Sequence, residues 1–217
     1  MGEKKKMRGS AISSLLTIDV SSRTPPTVWV FAYGSLIWNP GFKYEETIKG
    51  YARGFARRFY QGNTHHRGDA QMPGRVVTLI EDKKSNTSGL LYRLTGLKQI
   101  SSALKHLHER EVLNGYEFAV VPISFNTHCP GNTTVIALTC IASTDNEFYL
   151  GPGTTTEEMA VQIHTAKGRA GPNSDYLFKL AEHVRELFPT EEDEHLFELE
   201  RHVRIVLQQR ISSVAVE

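Results

Sequence analysis

The sequence predicts an α+β fold, a small and mainly antiparallel β-sheet or barrel with flanking helices. Three observations predict it. Runs of β-branched and aromatic residues, the composition of strands, crowd the chain from Val28 to Ala142. Amphipathic patterns of helical period fill it from Thr154 to Gln209. One helical pattern, Leu97 to Glu111, is inserted among the strands. Strands first and helices later, with one helix inserted, is an α+β order.

Each element has its own signal. Residues 1–27 read as a poorly ordered tail, with Lys4-Lys5-Lys6, paired serines and Pro25-Pro26. Residues 28–217 read as one folded domain. A first strand begins at Val28 and breaks at Tyr33-Gly34-Ser35. Phe42 to Gly50 reads as a linker with a short polar helix or turn. Tyr51 to Tyr60 is a strand whose alternation puts Tyr51, Arg53, Phe55, Arg57 and Phe59 on one face. Gln61 to Pro73 is a polar loop carrying His65, His66 and Arg67. Arg75 to Glu81 and Gly89 to Leu94 are strands separated by a turn at Lys83 to Ser88, which suggests hairpins. Leu97, Ile100, Leu104 and Leu107 share a helix face, and Asn114-Gly115 stops that helix. Tyr116 to Phe125 and Thr133 to Ala142 are strands joined around Pro130-Gly131. Tyr149 to Gly153 is a tight loop. Thr154 or Thr155 caps a helix through Thr165, since Thr-x-x-Glu is a capping-box pattern. Ser174 caps a helix through Leu187, and Glu191 to Gln209 is the last one.

The totals exclude several classes. The 217 residues carry a formal net charge of +1, so no global electrostatic case exists for nucleic acid or an anionic membrane. No apolar run approaches the roughly 20 residues that span a bilayer. Cys129 and Cys140 make no disulfide framework and read as reduced packing residues, which points to the cytosol. A secretory leader fits badly, because the run from Ala11 to Leu16 is short and broken by serine. Glu3 and Asp19 weaken a mitochondrial reading. The expected location is cytoplasmic.

The candidate chemistry starts where the first strand ends. Gly34 lets a ligand approach the main chain, and the successive N–H groups there can form an anion-binding concavity suited to a carboxylate. No Walker loop or dinucleotide fingerprint follows a strand. His65-His66 and His106-x-His108 do not project to one point, and no His-Glu-x-x-His or Cys/His cluster joins them, so no metal is expected. Ser35 lacks the elbow of an acyl nucleophile. The carboxylate of interest is Glu111. It lies four residues after Leu107, on roughly the same apolar face, just before the helix ends. Apolar surroundings and a helix C-terminus both disfavour its charged form, which raises its pKa toward the range useful for proton transfer.

An ordered series of matches extends this reading. It runs through Val30-Phe31-Ala32-Tyr33-Gly34-Ser35-Leu36-Ile37-Trp38, Arg57-Arg58-Phe59-Tyr60-Gln61-Gly62, His66-Arg67-Gly68 and Pro73-Gly74-Arg75-Val76-Val77-Thr78-Leu79. It continues with Arg110-Glu111, Gly115-Tyr116, Tyr149-Leu150-Gly151-Pro152, Tyr176-Leu177-Phe178 and Asp193-Glu194-His195-Leu196. In these the sequence resembles the ChaC-type, glutathione-specific γ-glutamylcyclotransferases over about Val28 to Gln209. The resemblance implies a compact barrel-like β domain with flanking helices, and no cofactor. It implies that reduced glutathione is cyclised to 5-oxoproline and cysteinylglycine. It places the catalytic glutamate at Glu111 and a substrate loop at Val30, Phe31, Ala32, Tyr33, Gly34 and Ser35, with Leu36 beside it. Arg57, Arg58, Arg67 and Arg75 are alternatives for the glycine carboxylate or for structural pairing, and Tyr116 and Tyr149 are expected to line the pocket. Ala32 stands where the family usually has glycine, Tyr60 where it has tryptophan, and Asn114 replaces the first glycine of Gly-Gly-Tyr. The Ala32 methyl is expected close to the substrate loop. Other γ-glutamyl amines as substrates, or a non-catalytic γ-glutamyl-binding module, are the alternative readings.

Overall fold

A computed structural model describes residues 24–126, 132–153 and 155–214. Among these, five strands close into a barrel: β1 (Thr27–Ala32), β2 (Glu46–Asn63), β3 (Gly74–Thr95), β4 (Tyr116–Asn126) and β5 (Asn132–Ala142). Their order around the barrel is β1-β3-β2-β4-β5. Neighbours are antiparallel except at the closing pair, where Trp29 and Val30 meet Ala137 and Leu138 in parallel. Four described helices flank it: α1 (Leu97–Arg110), α2 (Thr156–Thr165), α3 (Asn173–Leu187) and α4 (Glu194–Val214). A short hairpin, β6 (Lys167–Gly168) and β7 (Gly171–Pro172), links α2 to α3. β1 is buried on both faces, by Val28, Val30 and Ala32 on one and Phe31 on the other, as its near-continuous apolar run requires.

Several expectations are corrected. β2 begins at Glu46, so the linker is shorter than Phe42 to Gly50 and contains no helix. The turn expected at Lys83 to Ser88 lies inside β3. Turn chemistry is present there, since Asp82 Oδ1 accepts from the Lys84 amide at 3.1 Å and Oδ2 from Ser85 Oγ at 2.6 Å. The chain does not reverse, however. Both halves of β3 pair with β2, and the extra residues form a bulge between the Arg53↔Asn86 and Phe55↔Glu81 pairs. Gly54 occupies the bulge on the β2 side at φ +80°, in the left-handed region. The facing therefore switches there. Gly50 and Ala52 are buried before it, and Arg57, Phe59 and Gln61 after it, so Tyr51 and Arg53 do not share a face with Arg57 and Phe59. On α1 the buried residues are Ile100, Ala103 and Leu107, while Leu97 is exposed.

The start of α2 agrees with expectation, and those of α3 and α4 differ. Thr155 caps α2 by accepting from the Glu158 amide at 3.2 Å. Thr154, Cys129, the connection around Pro130-Gly131 and most of the tail lie outside the described residues. Ser174 is not a cap, because α3 already begins at Asn173. α4 begins at Glu194 rather than Glu191. Asp193 caps it, with Oδ1 accepting from the Leu196 amide at 3.1 Å and Oδ2 meeting the buried Arg57 of β2 at 3.1 Å.

Asn173 fixes α3 to the barrel. Its Oδ1 accepts from the Arg75 amide at 2.7 Å and its Nδ2 donates to the Arg75 carbonyl at 2.9 Å, in a fully buried position. Replacing it by alanine strands two buried main-chain groups, each worth about 1–3 kcal/mol. Asn173→Ala is expected to lower unfolding free energy by about 2–4 kcal/mol in urea titration. A loss below about 1 kcal/mol would refute the clamp.

Candidate active site

β1 delivers the chain to one wall of a cleft of about 590 Å³. Past Ala32 the chain passes Tyr33 and Gly34 into a single turn of 3-10 helix, Ser35–Ile37. The turn is closed by the Ile37 amide donating to the Gly34 carbonyl at 2.9 Å. Tyr92 of β3 pins it from below, donating its hydroxyl toward the Leu36 and Ile37 carbonyls at 2.9 and 3.1 Å. The amides that open such a turn have no preceding carbonyl to bond. Those of Ser35 and Leu36 have no acceptor among the described residues. Glycine is required at position 34 by close approach: a Cβ there would fall 2.8 Å from Val77 Cγ2 and 3.3 Å from the Tyr176 hydroxyl.

The end of α1 supplies the carboxylate. Glu111 caps the helix with its amide on the Leu107 carbonyl at 2.8 Å, and its own carbonyl accepts from Asn114 and Tyr116 at 3.0 and 3.2 Å. Gly115 then turns the chain into β4 at φ +91°. The Glu111 side chain is 15% exposed, with Oε1 3.0 Å from Arg110 Nε. Oε2 has no partner among the described residues. Arg110 also donates to Ser35 Oγ at 2.8 Å and to the Asn39 carbonyl at 2.5 Å. One guanidinium thus ties the carboxylate to the strand-end turn.

Burial raises the pKa of Glu111 above the ordinary carboxylate value, and Arg110 partly opposes it by charge and hydrogen bonding. Three phenols and a thiol surround it. Burial raises the pKa of Tyr33, Tyr116, Tyr176 and Cys140, and the Glu111 charge adds to the rise in each. Two phenols are occupied: Tyr33 donates to the Cys140 carbonyl at 2.5 Å and Tyr116 to the Val77 carbonyl at 2.7 Å. Tyr176 instead accepts from the Val77 amide at 3.4 Å, which leaves its own proton available.

The residues expected to bind substrate divide. Phe31, Tyr33, Gly34, Ser35, Leu36, Arg67, Glu111 and Tyr116 line this cleft. Val30 and Ala32 do not, for both are packed in the apolar core, so the Ala32 methyl faces the core and not the cleft. Arg75 does not either. Its guanidinium donates to Gln162 Oε1 at 2.6 Å and to the Phe59 and Gly151 carbonyls at 3.0 Å each, tying β2 and β3 to α2 and the tight loop. Tyr149 bridges to Gln61 across that loop, also away from the cleft. Arg110, Trp38, Tyr176 and Arg169 line the cleft without having been singled out. Trp38, Arg110 and Tyr176 stand in the ordered series of matches, which is a signal for them; Arg169 has none. Arg110 neighbours Glu111, but only the helix end turns both side chains to one place.

A larger hollow of about 830 Å³ lies elsewhere, between β2 and the start of α4. Its buried cation, Arg57, is held by Asp193 and by the Ser88 carbonyl at 2.5 Å. The strand-end turn and Glu111 belong only to the smaller cleft.

A family model described as "ChaC-like protein" matches residues 28–206. The chain is 44% identical over 174 residues to a glutathione-specific gamma-glutamylcyclotransferase 1 of Danio rerio, covering 80% of this chain and 87% of that one. It is 43% identical over 173 residues to the Homo sapiens protein of the same name, covering 79% and 76%. A crystal structure of a glutathione-specific γ-glutamyl cyclotransferase from yeast superposes with a TM-score of 0.75 at 28% identity, over 82% of this chain and 96% of that one.

The raised pKa of Glu111 has a consequence for stability. Below the unfolded-state value both states are protonated and nothing is lost. As pH rises through the folded value, ionising the buried group costs stability. Glu111→Gln cannot ionise, so it is expected to melt above the wild type at pH 7.5, with the gap closing toward pH 4. A melting difference that does not change with pH would contradict this.

Proposed function

The chain belongs to the ChaC-like family, and from that premise we propose that its cleft cyclises the γ-glutamyl group of glutathione to 5-oxoproline and releases cysteinylglycine. The observation that carries the reaction is the buried carboxylate of Glu111. One of its oxygens lies on Arg110 and the other has no partner among the described residues, beside a turn with open amides. The names of the relatives favour glutathione over other γ-glutamyl compounds.

The reaction needs a nucleophile freed of a proton and a leaving group given one. The substrate's α-amine attacks its own γ-carbonyl. A C–N bond closes the five-membered ring and the amide C–N bond to cysteine breaks. In the proposed sequence the Ser35 and Leu36 amides hold the α-carboxylate. Glu111 takes a proton from the α-ammonium through Oε2 and returns it to the departing nitrogen; the second proton, shed by the ring nitrogen as it becomes a neutral lactam, passes the same way, so cysteinylglycine leaves as an ammonium. The raised pKa suits both transfers, because a more basic carboxylate takes the first proton more readily and the acid it becomes still gives it up. The Tyr176 hydroxyl, with its proton available, faces the carbonyl oxygen as charge develops there. No water enters the balance, and nucleophile and electrophile belong to one molecule, so holding the arm folded supplies much of the acceleration.

Two experiments test these roles. Glu111→Gln keeps the shape and removes the base, so kcat for 5-oxoproline release from glutathione is expected to fall at least about 10²-fold with little change in binding. Glu109→Gln, at an exposed neighbour that among the described residues pairs with Lys105 at 3.9 Å, is expected to be near neutral, and release is expected to survive a chelator. Wild-type turnover by Glu111→Gln would refute the mechanism. Arg110→Gln removes the group that holds the Glu111 pKa down, so burial acts unopposed and the pKa rises further. Glu111 must be ionised to act as base, so the acid limb of the kcat/KM profile is expected to move to higher pH. An unmoved or lowered limb would separate Arg110 from the titration.

A further inference from the structure

The α-amine, α-carboxylate and γ-carbonyl are common to all γ-glutamyl compounds. The inner end of the cleft, which meets these groups, therefore cannot tell glutathione from the rest. What distinguishes glutathione lies on its other arm, and that arm ends in a second carboxylate about two residues, or roughly 7 Å, from the reacting carbonyl.

The outer end of the cleft is a constructed rim. The Asn63 side chain accepts from the His66 and Arg67 amides at 2.8 Å each. The link between β6 and β7 is zipped to the same loop, with the Arg169 amide on the His65 carbonyl at 3.0 Å and the Ala170 amide on the His66 carbonyl at 2.9 Å. The approach is so close that a Cβ at Gly168 would fall 2.4 Å from the His66 carbonyl carbon. These bonds bring two guanidinium groups to one place. Arg67 donates to the Pro172 carbonyl at 3.0 Å, and Arg169 lies 3.0 Å from His66 Nε2.

No described carboxylate pairs with either arginine. The two acids lining the cleft are engaged elsewhere, Glu109 toward Lys105 and Glu111 on Arg110. His66 reports the crowding: burial first, then Arg169 and Arg110, hold its pKa below the ordinary imidazole value. The rim and the Glu111 partner are therefore within electrostatic reach of one another. Arg67 has an acid near it, since a Cβ at Gly171 would fall 3.5 Å from Asp175 Oδ2 and 3.6 Å from Arg67 Nη1. Arg169 has no carboxylate partner among the described residues, and an exposed cation in a walled cleft suits an anion.

Resting on the reaction proposed above, we propose that Arg169, backed by Arg67 and His66, is the specificity site that binds the glycyl carboxylate of glutathione. The planar fork of an arginine suits a carboxylate, whose two oxygens it meets together. Arg169 is exposed and carries no internal bond beyond the His66 ring and its own main chain, so its replacement does not threaten the fold.

The test compares glutathione with glutathione monoethyl ester, in which the glycyl carboxylate is neutral, using wild type, Arg169→Gln and Arg169→Lys. Wild type is expected to prefer the acid by about tenfold in kcat/KM, chiefly through KM. Arg169→Gln should lose about that factor on glutathione and nothing on the ester, and Arg169→Lys should recover part of it. Equal treatment of both substrates by the wild type, or an equal loss on both in Arg169→Gln, would overturn the rim site while leaving the cyclisation standing. Release of 5-oxoproline from neither substrate by the wild type would overturn the cyclisation and the rim site together.

Discussion

The guanidinium of Arg110 donates in three directions, to the Ser35 hydroxyl, to the Asn39 carbonyl and onto the Glu111 carboxylate. Two ends of secondary structure, far apart in sequence, meet through it. One is the exit of β1 and the other the last turn of α1. The constraint it resolves is electrostatic. A proton-transfer carboxylate has to be buried enough to be basic, yet a buried carboxylate with no partner stays neutral at working pH. The helix C-terminus and the surrounding rings push Glu111 toward the neutral form, and one cation at one oxygen limits the push. The other oxygen has no partner among the described residues.

The barrel makes that balance possible by holding everything else still. Tyr33, Tyr92 and Tyr116 each place a ring in the wall and a hydroxyl on a main-chain carbonyl, at Cys140, Leu36 with Ile37, and Val77. Thr139 does the same to the Phe31 carbonyl at 2.9 Å, joining β5 to β1 beside the site. Buried polar groups satisfied in this way are rigid, because any displacement strands a donor or an acceptor. Tyr176 departs from the pattern by accepting rather than donating. Its place is set one helical turn away, where the Asn173 clamp holds α3 on β3. Gly34 is the complement of that ring: with no Cβ, the turn fits between Val77 and the Tyr176 hydroxyl.

Much of this was legible in the sequence, and what was not has a physical reason. The strand-to-turn break at Gly34 and the helix stop at Gly115 are local signals, and both are where the sequence puts them. For Glu111 the four-residue spacing from Leu107 gives a direction, and the ordered series of matches singles it out; the structure puts it at the C-cap of α1, on the cleft. Lys83 to Ser88 misled because Asp82 makes the same short-range bonds in a bulge as in a reversal, and only the partner strand decides between them. For Arg75 the sequence leaves a substrate carboxylate and structural pairing both open, and the structure shows the pairing. Its actual partners, at Phe59, Gly151 and Gln162, come from three other segments. Val30 and Ala32 came in with the loop they belong to, although strand alternation turns both inward. Arginine roles are the least legible of all, since a long side chain reaches whatever tertiary contact brings near it.

The same limit applies to charge. A formal net charge of +1 over 217 residues describes no particular place on the surface. The fold separates that near-neutral total into a cleft with three arginines and two glutamates on its lining. One arginine and one glutamate face each other at the inner end; at the rim Arg67 has Asp175 near it, and Arg169 has no carboxylate partner among the described residues. Glutathione has the reverse arrangement. Its inner end carries an ammonium and a carboxylate that balance, and its outer end a carboxylate alone. A field built from a few fixed charges in a walled cleft orients such a molecule before contact, which a uniform net charge cannot do. Orientation matters more than attraction for the proposed reaction, which requires the amine and the scissile carbonyl, not the glycyl end, at Glu111.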